Sequence, residues 1–186
     1  MENIIFYLGC LIPVTYCGYT DIKTGLIYNK VTLPMILAGI CYSIYISRLQ
    51  VALLGLAIGF IILLVCALIG GVGGGDVKLA AALGAWYGFN VIWVLLIGSV
   101  ISIIWGGFKL YEQKQLKNRA SVFFKGIFYR FIYGMKGSLI LPKLPEEDEP
   151  VPDDVIPFGT CLALASWIMF FLGAAEAAPF LMGVML

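Results

Sequence analysis

The sequence predicts an all-α protein: a polytopic bundle of about six transmembrane helices. Three observations predict it. The 186 residues are 61% hydrophobic and 12% charged, with a mean hydropathy of +0.98. A soluble domain is nearer half apolar and a quarter charged. Residues 3–20, 51–70 and 89–108 carry few or no charges and approach the length that crosses a bilayer. None of the three shows the polar face of a helix packed on a soluble core.

Each element has its own justification. The first segment opens with Met1, Glu2 and Asn3, without a basic residue before the apolar run. A cleaved signal normally has a positive leader and a shorter core, so 3–20 is expected to be a retained helix. Further spans are expected at 33–47, 51–70, 77–88, 89–108 and 156–175. The stretch 33–47 is short for a bilayer and is flanked by Pro34 and Arg48. So is 77–88, whose Ala and Gly content suits close helix packing. It either stands alone, merges into the next span, or enters only partway. No internal repeat is evident, and the whole chain, 1–186, reads as one domain.

Loop charge sets the expected orientation. Lys23 and Lys30 follow the first span, and Lys78 follows the Gly-rich turn after the third. Eight basic residues follow the fifth: Lys109, Lys114, Lys117, Arg119, Lys125, Arg130, Lys136 and Lys143. The opposite side has Arg48. The amino terminus is therefore expected outside, with a cytoplasmic basic and acidic loop at about 109–155. Within that loop Phe124, Ile127, Phe128, Phe131, Ile132 and Met135 recur at helical spacing. They suit either an amphipathic helix on the membrane surface or a helix packed on the bundle. Residues 142–154 combine prolines with Glu146, Glu147, Asp148, Glu149, Asp153 and Asp154. That composition predicts a solvated loop.

Several functions are excluded by residue type. The chain has no histidine, which removes Ser–His and Cys–His catalysis and His-based metal sites. The five cysteines, Cys10, Cys17, Cys41, Cys66 and Cys161, form no C-x-x-C pair and read as small hydrophobes within helices. No metal and no cofactor is expected. Basic residues interleaved with apolar spans give nucleic acid no footprint. The glycine run is neither a P-loop, because Lys78 stands between Val77 and Leu79, nor a dinucleotide fingerprint, because it joins two apolar helices. Nothing in the sequence sets an oligomeric state.

Eleven acidic residues are present, and elimination leaves two of interest. Glu2 and Glu176 sit near membrane ends, Glu112 lies among basic residues, and six form the acidic loop. Asp21 and Asp76 remain, each where a cytoplasmic loop meets a helix. A helix from Asp76 to Tyr87 rises only about 18 Å, against about 30 Å of hydrocarbon. If it reaches the outer face, Asp76 lies inside the membrane profile, where a carboxylate needs a watery cavity or a partner. Gly73, Gly74 and Gly75 precede it, and glycine permits unusual backbone angles and close approach. Both aspartates stand in a D-x-K motif, with Lys23 and Lys78. Each lysine either tunes its neighbour and holds an anionic group, or snorkels as a positive-inside marker. Two aspartates sharing a water would repel, so that one keeps its proton. The ionised one then takes a proton from water while the other polarises a peptide carbonyl. The same pair would equally serve a proton-coupled transporter as relays.

Gly73, Gly74, Gly75, Asp76, Val77 and Lys78 resemble the G-x-G-D motif of type IV prepilin peptidases and archaeal preflagellin peptidases. Asp21, Ile22, Lys23 and Thr24, followed by Ile27, Asn29 and Thr32, are similar to the family's other aspartate motif. Ile156, Pro157, Phe158 and Gly159 resemble the segment that opens its last helix. The resemblance implies an inner-membrane aspartic endopeptidase with Asp21 and Asp76 as catalytic pair. Its partner would be a prepilin-like precursor whose short basic leader ends in glycine before an apolar helix. Larger bacterial members carry a zinc-binding insert with C-x-x-C pairs and methylate the new amino terminus. This chain has no such motif, so peptidase activity without methyl transfer is expected. Tyr28 and Thr160 stand where many members have proline. G-x-G-D alone also occurs in presenilin-type proteases.

Overall fold

The computed structural model describes residues 5–69, 72–112 and 157–174. Every element among them is helical. The amphipathic pattern of 124–135 and the acidic stretch of 142–154 lie outside the described residues. Two units are present, Met1–Ser102 with Pro157–Leu186, and Ile103–Ile156. The packing below concerns the first.

The helix α1 (Ile12–Thr24) follows a wide π-helical turn, Tyr7–Leu11. Pro13, with no N–H to donate, sits where the wide turn hands over to α geometry. Gly25 stops the helix: its left-handed φ of 62° lets its N–H reach the Asp21 carbonyl at 2.9 Å. Next comes α2 (Asn29–Tyr45), which begins earlier than the expected 33. Extended backbone at Tyr28 leaves its carbonyl free to accept the N–H groups of Val31 and Thr32, at 3.0 and 3.3 Å. Pro34, expected as a flank, therefore lies inside the helix. Near a helix start a proline removes one bond and is tolerated better than at the centre.

The remaining elements are α3 (Leu49–Ile69), α4 (Gly74–Tyr87), a 3₁₀ turn (Gly88–Asn90), α5 (Val91–Glu112) and α6 (Phe158–Ala174). Two apolar helical stretches are long enough to cross a membrane: Leu49–Leu68, with mean hydropathy 3.0, and Gly74–Phe108, with 2.3. Phe158–Leu172 is apolar but shorter. On α3, Leu53, Leu54, Ile61, Leu64, Val65 and Leu68 face outward. A continuous apolar face of this kind suits lipid and not water.

Small residues decide how the helices pack. A Cβ on Gly55 would strike the Gly84 carbonyl oxygen and the Gly88 Cα, and one on Gly59 would strike the Ala80 carbonyl. Backbone thus meets backbone along an antiparallel α3–α4 contact, as the Gly and Ala content of this stretch predicts. Contacts on either side of Gly88 run in opposite senses. Tyr87 donates its hydroxyl to the Ser166 carbonyl at 2.7 Å, far along α6, whereas Gly98 lies against Leu162 near its start. The chain therefore turns back at Gly88, whose φ of 56° is a glycine conformation, and α4 and α5 are separate helices. Trp86 occupies a slot that Gly9 and Gly39 leave open and donates Nε1–H to the Met35 carbonyl at 2.9 Å. The core lies around α4, with Leu79, Ala80, Ala82 and Leu83 fully buried against Cys10, Val14, Val91, Val94 and Leu162.

This packing makes a prediction. Gly59→Val forces α3 and α4 apart and should lower stability by about 1–3 kcal/mol, the usual range for overpacking. Thermal unfolding in detergent should show a clear fall. Gly107→Val, where an added Cβ meets nothing within 4 Å, is the control and should barely move the midpoint.

Candidate active site

Asp21 occupies the last turn of α1 and is 7% exposed. The first turn of α6 faces it. The buried Thr160 N–H donates to Asp21 Oδ2 at 3.2 Å, and the Gly159 N–H also faces the carboxylate. Pro157, Phe158 and Gly159 give this helix a defined start, and the free N–H groups of a first turn favour an anion. Gly159 has a steric role as well. A Cβ there would stand 3.0 Å from Asp21 Oδ2 and 2.7 Å from Ile27 Cδ1.

Asp76 lies in the first turn of its own helix, α4. Its Oδ2 accepts the Gly73 N–H at 3.3 Å, the return contact of a carboxylate at the third helical position. Its Oδ1 is buried and has no hydrogen-bond partner. Asp76 also lies within electrostatic reach of Asp21. Ile27, in the short link between α1 and α2, connects the two halves. Its side chain fills the space beside Gly159 and also that beside Gly75, where an added Cβ would be 3.0 Å from Ile27 Cβ. Both aspartates thus gather at one end of the helices, each at a helix amino end.

The other expected site residues divide. Gly73 is at the Asp76 carboxylate and Gly75 is against Ile27, and in both the matter is close approach alone. Gly73 has ordinary extended angles, φ −75° and ψ 152°. Positive φ among the described glycines occurs at Gly25 and Gly88, so the unusual-angle reason fails for Gly73, Gly74 and Gly75. Gly74 faces open space. Lys23 lies over the Tyr19 ring, 4.8 Å from its centroid, and Lys78 donates to Asn29 Oδ1 at 2.8 Å. Neither contact is with an aspartate. Sequence reasoning left out Thr160 as a donor and Ile27 as the bridge. A helix start after Pro157 was the available signal for the first, since helix starts bind anions. For the second, Ile27 was already in view within the aspartate motif, but without a role.

Among the described residues no group of three His, Cys, Asp or Glu side chains gathers around one point. The chemistry on offer is that of a carboxylate pair, one member accepting a proton and the other donating one. A buried Oδ1 without a partner is costly for the fold. Asp76→Asn, which removes a buried charge, should therefore raise the thermal midpoint in detergent at mildly alkaline pH. An unchanged or lower midpoint would mean that Asp76 is not held at a stability cost.

Comparison with known proteins identifies a family. The model of the type IV leader peptidase family matches residues 7–107, a stretch that contains both aspartates. A prepilin leader peptidase/N-methyltransferase of Xanthomonas campestris pv. campestris is 32% identical over 164 residues, 82% of this chain and 45% of its own. One of Burkholderia pseudomallei is 31% identical over 138 residues, 61% of this chain and 44% of its own. A third, from Neisseria gonorrhoeae, is 38% identical over 96 residues, 46% of this chain and 34% of its own. The chain thus spans less than half the length of these relatives. No solved structure gives a significant match. With the family's model covering more than half of its length, including both aspartates, the chain belongs to the type IV leader peptidase family.

Proposed function

We propose that this chain is a membrane aspartic endopeptidase that removes the short basic leader from prepilin-like precursors. One observation carries the reading: Asp21 and Asp76, from distant parts of a leader-peptidase chain, lie within electrostatic reach of each other, each at a helix amino end. A water held between them would lose a proton to the ionised carboxylate. The protonated partner would donate to the scissile carbonyl as its oxygen becomes negative. Proton transfer in the reverse sense then releases the new amino terminus. Methyl transfer, which the relatives' names include, is not part of the proposal, since this chain has no C-x-x-C pair.

The setting proposed is the inner membrane, with about six spans and the amino terminus outside. Asp21 and Asp76 then face the cytoplasm, where a precursor's basic leader is found before export. Loop charge supports this orientation, because eight of the chain's twelve Lys and Arg residues fall between 109 and 143. The apolar outward face of α3 supports the bilayer itself.

Two experiments test the proposal. Asp21→Ala and Asp76→Ala should each abolish cleavage of a co-expressed pilin precursor while folded protein persists in the membrane. Substantial cleavage by either single variant would refute the pair. For orientation, protease added to spheroplasts should spare the 109–155 connection, and protease added to inverted vesicles should cut it. The opposite pattern would place Asp21 and Asp76 on the outer side.

A further inference from the structure

The two carboxylates are held differently, and the difference assigns their roles. We infer that Asp21 is the ionised member of the pair, the base toward water, and that the Thr160 backbone N–H is the positioning donor that keeps it so. The inference rests on the proposed reaction and divides the labour within it. Asp21 Oδ2 receives a buried N–H from Thr160 at 3.2 Å, with the Gly159 N–H beside it, at the amino end of a 17-residue helix. These are fixed dipoles aimed at negative charge. Asp76 receives one N–H at 3.3 Å, from Gly73, and its Oδ1 is buried with no partner. A carboxylate that leaves one oxygen buried and unbonded is far costlier than the neutral acid in the same place. Two like charges this near each other also disfavour double ionisation. One proton for the pair is therefore best kept on Asp76.

Among the described residues no nearby cation competes for the role of holding Asp21 ionised. The titratable groups within its reach among the described residues are Asp76, Cys17 on its own helix and Cys161 on α6. Lys23 lies over Tyr19, and Lys78 is bonded to Asn29. Thr160 is also anchored. Its hydroxyl donates to the Gly18 carbonyl at 2.8 Å and fixes the first turn of α6 against α1. The hydroxyl thus sets the helix end, and the N–H sets the charge.

Removing the N–H without the rest of the turn separates these effects. Thr160→Pro deletes both N–H and hydroxyl, whereas Thr160→Ala deletes the hydroxyl alone. Proline is acceptable here because first-turn N–H groups have no partner within the helix. The full chain in detergent would be assayed with a purified pilin precursor, and kcat/KM followed over a wide pH range. The acid limb reports the first ionisation of the pair and the alkaline limb the second. Loss of a donor to the Asp21 anion makes the step that creates this anion harder. If Asp21 ionises first, the acid limb in Thr160→Pro moves up by about one pH unit. The alkaline limb stays, because the Asp21 anion is present on both sides of it. In Thr160→Ala the rate falls but neither limb moves. A shift of the alkaline limb in Thr160→Pro would reverse the roles, and identical profiles for the two variants would leave Thr160 a structural anchor only.

A second measurement needs no variant. A diazo ester esterifies protonated carboxyls, and an epoxide alkylates ionised ones. Mass spectrometry of the native protein should find the diazo label on Asp76 and the epoxide label on Asp21; the reverse distribution overturns the assignment. A native protein that cuts no precursor would remove the proposed function. Cleavage with an unmoved Thr160→Pro profile would remove the inference alone.

Discussion

Residues 79–85 of α4 are all buried, and the rest of the molecule is arranged around that fact. A helix enclosed on every side has to let its neighbours' backbones come near. Ala80, Ala81, Ala82, Gly84 and Ala85 allow it, and α3 answers with Gly55 and Gly59. Within lipid, helices gain little from hiding apolar surface from one another, so contact area and close approach carry the association. The consequence reaches the site directly. Asp76 stands at the amino end of this enclosed helix, and its position is as fixed as the helix itself.

Electrostatics follows from the same arrangement. Carboxylates among apolar helices need polar groups that are already oriented, because water and lipid cannot both be neighbours. Helix amino ends supply such groups without adding a charge. The end of α6 does so for Asp21, and the end of α4 partly does so for Asp76. Since α1 meets α6 through Gly18, Thr160 and Ala163, packing and polar support at Asp21 form one contact region. The backbone turn at Gly88 completes it, because it returns α5 to the start of α6, with Gly98 against Leu162.

What could be read from the sequence was whatever depends on composition or on a short motif. Helical character follows from apolar runs without a polar face. Asp21 and Asp76 emerge by elimination, since every other acid has a place at a terminus or in a loop. The short Ala-rich helix before Gly88 is legible from its small residues. What could not be read depends on distant residues. Thr160 and Asp21 are 139 positions apart, and Lys78 and Asn29 are 49 apart, so no local pattern encodes either bond. The Lys78–Asn29 bond also explains why Lys78 does not contact its neighbouring aspartate, because it found a neutral partner across the helix contact. Proline usually marks a boundary, yet Pro34 lies within α2 because Tyr28, not residue 33, provides the helix start. Glycine has two uses, and sequence cannot choose between them. At Gly75 the choice was space, and at Gly88 it was conformation.

Ile27 fills room left by two absent side chains, at Gly75 and at Gly159. The three positions therefore pack as one group, with Asp21 beside it. A methyl group gained at either glycine has to be met by a loss or a shift at residue 27. Variation at these positions is consequently coupled: tolerance at one depends on what occupies the other two.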